Sequence, residues 1–148
     1  MNNYNLINLR ENANHGDFML PLTTYKGCMS PTYTNVPLHW HEEMEITLIE
    51  EGTAYYNIDL INYEFSKGDL LFIHPHRLHS LTYKNNIQMK WKTIVFNLDM
   101  LKSSSTEGVL IKYLAPLINK DHNFPLIISK DTPGYEEILK LFNELIYC

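Results

Sequence analysis

Alternation of apolar and polar residues through the middle of the chain predicts a series of short β-strands. The runs that show it are residues 44–50, 53–58, 70–73, 79–84 and 88–98, with Tyr63 and Phe65 in one more. Residues typical of turns separate them: Gly52, 59–62, 67–69 and Asn85-Asn86. Strands at this spacing, with no helix between them, are typical of an antiparallel β-barrel or sandwich.

The segment before these strands has a weaker pattern. Residues 1–15 are rich in asparagine and are compatible with either a leading strand or a loose arm. Residues 18–38 alternate short apolar pieces with prolines and a glycine, which indicates short strands and turns because proline removes a ladder donor. We therefore predict that residues 1–101 form a β-domain with an amino-terminal arm.

Beyond residue 101 the pattern changes to that of a linker and helices. Residues 102–108 are polar, 109–114 have helical spacing, and 124–129 look extended. Thr132 and Pro133 are typical of an N-cap and a first helical position. Residues 102–148 are thus predicted to be a linker and two closing helices. Because the final helix has no capping signal at its end, we expect the natural protein to continue into a further domain.

The final helix carries a long apolar stripe. Its members recur at helical spacing: Tyr135, Ile138, Leu139, Phe142, Leu145 and Ile146. An amphipathic helix of this length needs a surface on which to bury that face, and the stripe is longer than packing on the β-domain explains. We predict that it forms a homodimer interface through Ile138, Leu139, Phe142, Leu145 and Ile146.

Composition and charge narrow the range of functions. The chain has 148 residues, 45% of them hydrophobic, and a formal net charge of -5. This fits one globular domain without the basic surface that nucleic-acid binding requires. No signal peptide or membrane-spanning run is present, and Cys28 and Cys148 have no metal or redox spacing, which favours a reducing cytoplasm.

The candidate chemistry is concentrated in one predicted strand and its partner. In the pattern H-x-H-x₃-E-x₆-G, His39, His41 and Glu45 share one parity, so they face one side of a strand. A third imidazole, His79, follows Gly68 at the start of a later strand. Three imidazoles and a carboxylate suit a divalent Zn, Ni, Mn or Fe ion, with positions left open for a ligand.

The same four residues also support two other interpretations. They could satisfy one another by hydrogen bonds, or they could line a pocket for an organic ligand. In the second case Tyr55 and Trp91 are the aromatic residues expected to join them. A separate site built from His74, His76 and His79 is a weaker alternative. No phosphate-binding glycine loop or nucleophile elbow occurs.

The stretch from His39 to Gly52 and the stretch from Gly68 to His79 resemble the two signature motifs of the cupin barrel. The surrounding chain resembles the amino-terminal, effector-sensing cupin domain of AraC-type transcription regulators. Departures from the motifs are Tyr33, His74 and Tyr83, together with His76 in place of a usual glycine.

The resemblance implies a cupin-type antiparallel β-barrel followed by two helices, and a domain that binds a small-molecule effector, which could be a sugar. It implies a cytoplasmic homodimer that contacts DNA only through a helix-turn-helix domain outside this chain, with no cofactor expected. The alternative is a small metal-dependent cupin enzyme, such as a dioxygenase or sugar isomerase. In that case the metal ligands are His39, His41, Glu45 and His79.

Overall fold

The strands of this protein form two antiparallel sheets that face each other. The computed structural model describes residues 6–17, 19–83, 88–102, 106–109, 111–112, 115 and 127–147. Its strands are β1 (Leu22–Met29), β2 (Asn35–His39), β3 (Met44–Glu51), β4 (Thr53–Ile58), β5 (Ile61–Ser66), β6 (Leu70–Ile73), β7 (His79–Tyr83), β8 (Met89–Phe96) and β9 (Ile127–Ile128). The predicted strand series is confirmed, while the predicted turn at Asn85-Asn86 lies outside the described residues.

The order of the strands defines a jelly roll. One sheet has the order β1-β8-β3-β6-β9 and the other β2-β7-β4-β5. From β1 to β8, each strand lies in the opposite sheet from its predecessor, except for β5, which pairs with β4. The two sheets share no ladder among the described residues, so the predicted cupin fold is confirmed as an open jelly roll rather than a closed barrel.

A core of apolar side chains fills one part of the space between the sheets. In β4, Ala54, Tyr56 and Ile58 are buried and alternate with partly exposed residues, as the period of a strand requires. Their buried partners from the other strands are Met29, Ile49, Phe65, Leu71, Ile73, Leu81 and Met89. Each fully buried side chain of this size contributes about 1.5–3 kcal/mol.

Proline at position 37 lies inside β2. The pairing of β2 with β7 changes register between Val36 and His39, which is the stretch that contains Pro37. Proline has no N–H to donate to a ladder, so an irregularity of this kind accommodates it. After the irregularity, His39 is paired directly with His79.

The helices are α1 (Asp99–Lys102), α2 (Glu107–Val109) and α3 (Tyr135–Tyr147). No described residue of α1 or α2 is buried, and α3 covers the outer face of the larger sheet. Helix α3 buries Tyr135, Phe142 and Ile146 against Leu48, Leu70, Ile94 and Ile128 of the sheet. Strand β3 is therefore covered on both faces, so most of its residues are buried, including the polar Glu45 and Thr47. No helix in the described ranges is long and apolar enough to cross a membrane.

The start of α3 differs from the sequence-based prediction. Gly134 has a φ of 82°, outside the helical region, and its carbonyl accepts the Ile138 N–H at 3.1 Å. Gly134 is thus the N-cap, and the prediction that Thr132 has this role is wrong. The Thr132 hydroxyl instead accepts the Ser129 N–H at 3.1 Å and stabilises the preceding turn.

The amino-terminal arm lies along the loop after β2. A 3-10 helix, Leu6–Leu9, leads into Arg10, which forms a parallel bridge with Trp40. Trp40 donates its backbone N–H to the Leu9 carbonyl at 3.0 Å and its indole N–H to the Leu6 carbonyl at 2.7 Å. Arg10 adds an ion pair with Glu42 at 2.7 Å. These contacts hold the arm against the segment that contains His39 and His41.

Candidate functional site

Pairing between β2 and β7 brings the predicted site residues together. His39 ends β2, His79 begins β7, and their ring centroids are 4.2 Å apart. His41 lies in the loop that follows β2, and Glu45 is the second residue of β3. The backbone therefore brings three histidines and a carboxylate from two sheets to one end of the jelly roll.

All three imidazoles are held in the same way by backbone carbonyls. The Nδ1 atoms of His39 and His79 each lie 2.8 Å from a carbonyl, those of Pro37 and Arg77. The Nδ1 of His41 lies 3.1 Å from the Glu43 carbonyl. Since a carbonyl only accepts, each Nδ1 carries the proton, and the neutral rings have their lone pair on Nε2.

Glu45 lies against two of these rings inside the fold. Its Oε2 is 3.4 Å from His41 Nε2 and 3.5 Å from His79 Nε2. Its Oε1 accepts the Thr47 hydroxyl at 2.8 Å, and Thr47 is 2.6 Å from the hydroxyl of Thr93. Burial acts to raise the pKa of Glu45, but the contacts with His41 and His79 outweigh it and lower that pKa well below its usual range.

The same electrostatics act in opposite directions on two of the histidines. Burial acts to lower the pKa of His79, but the Glu45 carboxylate outweighs it and raises that pKa overall. Burial, followed by the nearby His79, lowers the pKa of His39. The rings are thus placed in different charge environments although they lie side by side.

The donor set fits a divalent transition-metal ion. The ligand atoms of His39, His41 and His79 lie within 4.8 Å of one another. Among the described residues, this is the one such group of three or more potential metal ligands. The Nε2 of His79 is buried and has no hydrogen-bond partner among the described residues. A metal there would take the Nε2 lone pairs, with ring orientation set by the carbonyls, as is usual for metal-bound histidines.

Two residues that the sequence analysis did not identify belong to the same site. Glu11 and His15, both in the arm, lie beside the cluster, with Glu11 Oε2 3.0 Å from His15 Nε2 and 3.8 Å from His39 Nε2. His15 is 8% exposed, and its Nδ1 is 2.8 Å from the Tyr25 hydroxyl. Nothing in the local pattern marks these residues, because the arm reaches the site through pairing with Trp40.

A cavity of about 490 Å³ extends from the cluster between the two sheets. Its polar end contains Glu11, His15, His39, His41, Glu45 and His79. Its walls include Tyr25, Tyr33, Val36, Tyr56, Leu81, Trp91 and Val95. This volume is within the usual range for small-molecule sites, and the mixture of apolar walls and convergent polar groups is typical of them.

Of the two aromatic residues predicted to line the pocket, the structure places one in its wall and the other outside it. Trp91 lines the cavity. Tyr55 does not, because inward and outward positions alternate along β4 and the neighbouring Ala54 and Tyr56 point inward. Tyr56 occupies the position expected for Tyr55, and burial raises its pKa well above the usual value.

The side chain of His76 lies outside the cluster, although its backbone contacts His41. Its ring centroid is 5.7 Å from that of Trp40, and its backbone N–H bonds to the His41 carbonyl at 2.8 Å. Its φ of 64° is in the left-handed region, which explains why a glycine is usual at this position of the cupin motif that the stretch resembles. The alternative metal site from His74, His76 and His79 does not form.

An open jelly roll with an internal cavity and a His/Glu cluster at one end defines a cupin-type ligand-binding domain. The chain belongs to the AraC-like ligand binding domain family, whose model matches residues 29–146. The predicted resemblance to the amino-terminal domain of AraC-type regulators is confirmed.

Two proteins illustrate this relationship. The uncharacterized HTH-type transcriptional regulator YdeC of Bacillus subtilis (strain 168) is 37% identical over 73 residues, which are 49% of this chain and 25% of YdeC. ToxT from Vibrio cholerae O395, bound to (E)-4-(8-methylnaphthalen-1-yl)but-3-enoic acid, has a TM-score of 0.60 at 14% identity, covering 85% of this chain and 47% of ToxT. Another structure of ToxT from Vibrio cholerae, in the P21 form, has a TM-score of 0.59 at 14% identity. The chain thus matches less than half the length of either protein.

Proposed function

We propose that this domain senses a small organic effector for an AraC-type bacterial transcription regulator in the cytoplasm. The observation that carries the proposal is the cavity, which is polar at the His/Glu end and lined with aromatic side chains elsewhere. Membership of the ligand-binding domain family supports it, as does the organic acid bound to ToxT. In this interpretation the domain is not an enzyme.

The cavity favours an effector with two different ends. One end carries hydroxyl groups that donate to the Nε2 atoms of His39, His41 and His79. The other end is a flat apolar body that packs against Tyr56 and Trp91, and a sugar ring meets both requirements through its hydroxyls and its apolar face.

The test is a thermal-shift screen of sugars and organic acids, followed by calorimetry of each ligand that stabilises the protein. We expect His39→Asn to weaken binding by about tenfold or more, because it removes a hydrogen bond to a polar ligand group. His76→Asn is the matched control, since it makes the same exchange outside the cavity. Equal effects of the two substitutions would place the effector elsewhere.

We further propose that the domain forms a homodimer, with DNA contacted by a domain outside this chain. The net charge of -5 leaves this segment without a surface for the phosphate backbone. The predicted set of interface residues needs revision. Phe142 and Ile146 are buried within the monomer, and Ile138 and Leu139 pack partly against the same core. Leu145, at 47% exposed, remains available, and Leu141 at 52% joins it.

The donor set favours a second candidate function, that of a metal-dependent cupin enzyme. His39, His41, Glu45 and His79 would hold the ion, and the ion would supply Lewis-acid or redox chemistry to a substrate in the cavity. Elemental analysis of protein purified without a metal-affinity tag tests occupancy. Near-stoichiometric metal that is lost in His41→Ala, together with turnover of a cavity ligand, would favour this function over effector sensing.

A further inference from the structure

The histidines and the carboxylate at the polar end of the cavity present hydrogen-bond acceptors to its interior. Each imidazole of His39, His41 and His79 directs its Nδ1–H at a backbone carbonyl, so its Nε2 carries only a lone pair. The Nε2 of His79 is buried and has no hydrogen-bond partner in the described ranges, and its neighbour at 3.5 Å, Glu45 Oε2, is also an acceptor. A second proton on His79 would serve Glu45 alone and leave the other two rings unchanged.

The protons of the side chains next to the cluster are already donated within the protein. The Thr47 hydroxyl donates to Glu45 Oε1 at 2.8 Å, so the Thr93 hydroxyl, 2.6 Å from that of Thr47, donates to Thr47. The Nε2 of His15 lies 3.0 Å from Glu11 Oε2 and therefore donates to that carboxylate. A ligand that contacts this end of the cavity consequently has to supply the hydrogen-bond donors itself.

The charges around the cluster favour a donor that is positively charged. Three carboxylates lie beside the imidazoles, those of Glu11, Glu43 and Glu45. Their ion-pair contacts within the described part of the chain are with histidines, and no lysine or arginine reaches them there, since Arg10 pairs with Glu42 instead. Glu45 is 8% exposed, so water and salt screen its charge only weakly. A cationic group is therefore attracted to this end, whereas a carboxylate is repelled.

The spacing of the three rings fits an ammonium group. Ring nitrogens of His39, His41 and His79 lie within 4.8 Å of one another. One nitrogen can lie about 2.9 Å from each of three acceptors when these are up to roughly 5.0 Å apart. An ammonium group has three N–H donors, one for each ring. The aromatic walls beyond the cluster, which include Tyr56 and Trp91, suit the apolar body that carries such a group.

We propose that the effector is an organic cation whose ammonium group donates to the Nε2 atoms of His39, His41 and His79. Glu45 and Glu11 are the residues that determine specificity for the positive charge. The proposal rests on the binding of an effector in this cavity, as proposed above, and narrows its chemical class. An amino sugar or an aromatic amine meets the requirements, whereas an organic acid of the same size does not.

Two series of matched probes test the proposal. One consists of 2-phenylethylamine, 2-phenylethanol and phenylacetate, and the other of glucosamine, glucose and glucuronate. Each probe is titrated by calorimetry into protein purified without an affinity tag, with a chelator present so that no metal ion occupies the cluster. We expect the amine of at least one series to bind about tenfold or more tightly than its neutral and acidic counterparts, because charge-assisted hydrogen bonds are stronger than neutral ones.

The preference for the amine over the alcohol should depend on the two carboxylates. Glu45→Gln should lower it by about tenfold, since glutamine keeps the shape and can still accept the Thr47 hydroxyl while losing the charge. Glu11→Gln, at a partly exposed position of the arm, should lower it by about threefold. Glu42→Gln is the matched control, because its carboxylate pairs with Arg10 outside the cavity, and it should change the preference by less than about twofold. Thermal denaturation verifies that each variant is folded.

The proposal is overturned if neither amine binds, or if the alcohol or the acid binds as tightly as the amine in both series. It is also overturned if the preference is the same in Glu45→Gln and Glu11→Gln as in the wild type, or if Glu42→Gln lowers it as much as they do. An alcohol or acid whose binding is weakened in His39→Asn would leave the effector proposal standing and overturn this one alone.

Discussion

Gly27 is a residue whose missing side chain shapes the cavity. It pairs with Trp91 across β1 and β8, and a Cβ built on it would lie 2.0 Å from the Cζ2 of the indole ring. The ring therefore packs directly on the β1 backbone, in a space that only glycine leaves free. Trp91 keeps its place in the cavity wall because of this contact.

Gly27→Ala should consequently move the Trp91 ring and destabilise the fold. We expect the free energy of unfolding to fall by about 1–3 kcal/mol, the usual cost of adding atoms to a packed site. Urea denaturation measures the change, and near-ultraviolet circular dichroism reports the indole environment. Gly108→Ala is the control, because a Cβ there meets nothing within 4 Å. A Gly27→Ala protein as stable as wild type would show that Trp91 can shift freely.

At the scale of elements, the hairpin between β4 and β5 contains local strain. Its two loop residues, Asp59 and Leu60, have φ values of 48° and 69°, as a type I′ turn requires. Asparagine and glycine are the usual residues of such a turn, whereas leucine in the left-handed region is unfavourable. Leu60 is also 76% exposed, so packing compensates for little of this strain.

Leu60→Gly should therefore stabilise the protein. Relief of the left-handed conformation outweighs the extra entropy that glycine loses on folding, and we expect a gain of about 0.5–1 kcal/mol. Leu60→Ala is the control, because it shortens the side chain but keeps the unfavourable φ. Thermal and urea denaturation measure both variants. If alanine stabilises as much as glycine, exposure of the leucine side chain is the cause instead of backbone strain.

Helix α3 is attached to the β-sheet mainly by its apolar face. Phe142 is 4% exposed and packs in the cluster that includes Leu48 and Ile94, whereas Leu141, one position earlier, is 52% exposed. The helix end is held further by Tyr147, whose hydroxyl accepts from Lys92 Nζ at 3.0 Å. Adjacent residues of one helix thus have very different expected contributions to stability.

Phe142→Ala should lower the free energy of unfolding by about 3–5 kcal/mol, because it leaves a cavity under the helix. Leu141→Ala should change it by less than about 0.5 kcal/mol, as is usual for exposed positions. Urea denaturation followed by far-ultraviolet circular dichroism compares the two. Similar losses for both variants would mean that the outer side of α3 is buried in solution.

At the scale of the whole molecule, the exposed side of α3 is the surface on which the proposed homodimer depends. Leu141 and Leu145 lie one helical turn apart and are both exposed in the monomer. A stripe of this kind on an amphipathic helix is a natural self-complementary contact across a two-fold axis.

We expect the double substitution Leu141→Glu and Leu145→Glu to convert the dimer to a monomer without unfolding it. Sedimentation velocity measures the assembly, and circular dichroism confirms the fold. Leu60→Glu is the control, since it adds one charge at an exposed leucine far along the chain from α3. A dimer that persists in the double variant, or a wild type that is monomeric at high concentration, contradicts this interface.

Several features of the protein could be predicted from the sequence because they depend on local order. Alternation along a strand indicates which side chains share a face, so the strand series could be predicted. The prediction that His39, His41 and Glu45 face one side of a single strand is wrong, because His39 ends β2, His41 lies in the following loop and Glu45 is in β3 of the other sheet. The spacing of the two motifs identified His79 as their partner, and it lies in β7, which pairs with the β2 strand of His39. Strand periodicity and turn residues are properties of the local sequence, so they can be recognised without knowing how the strands are arranged in the sheets.

Other features were decided only by the tertiary structure. Tyr55 and Tyr56 are adjacent in a strand, and only the packing of the sheets determines that Tyr56 faces the cavity. The helical stripe indicated a buried face, but the larger sheet, rather than a second copy of the chain, covers Phe142. Burial of an apolar face is satisfied by any matching surface, and the sequence does not specify which one.

Glu11 and His15 are the clearest example of this limit. They reach the site because the arm pairs with Trp40, and that contact joins segments about thirty residues apart in sequence. No periodicity or motif spacing records such a contact. The sequence alone determined which fold and which histidine cluster to expect, while the long-range pairing of the arm determined which further groups surround that cluster.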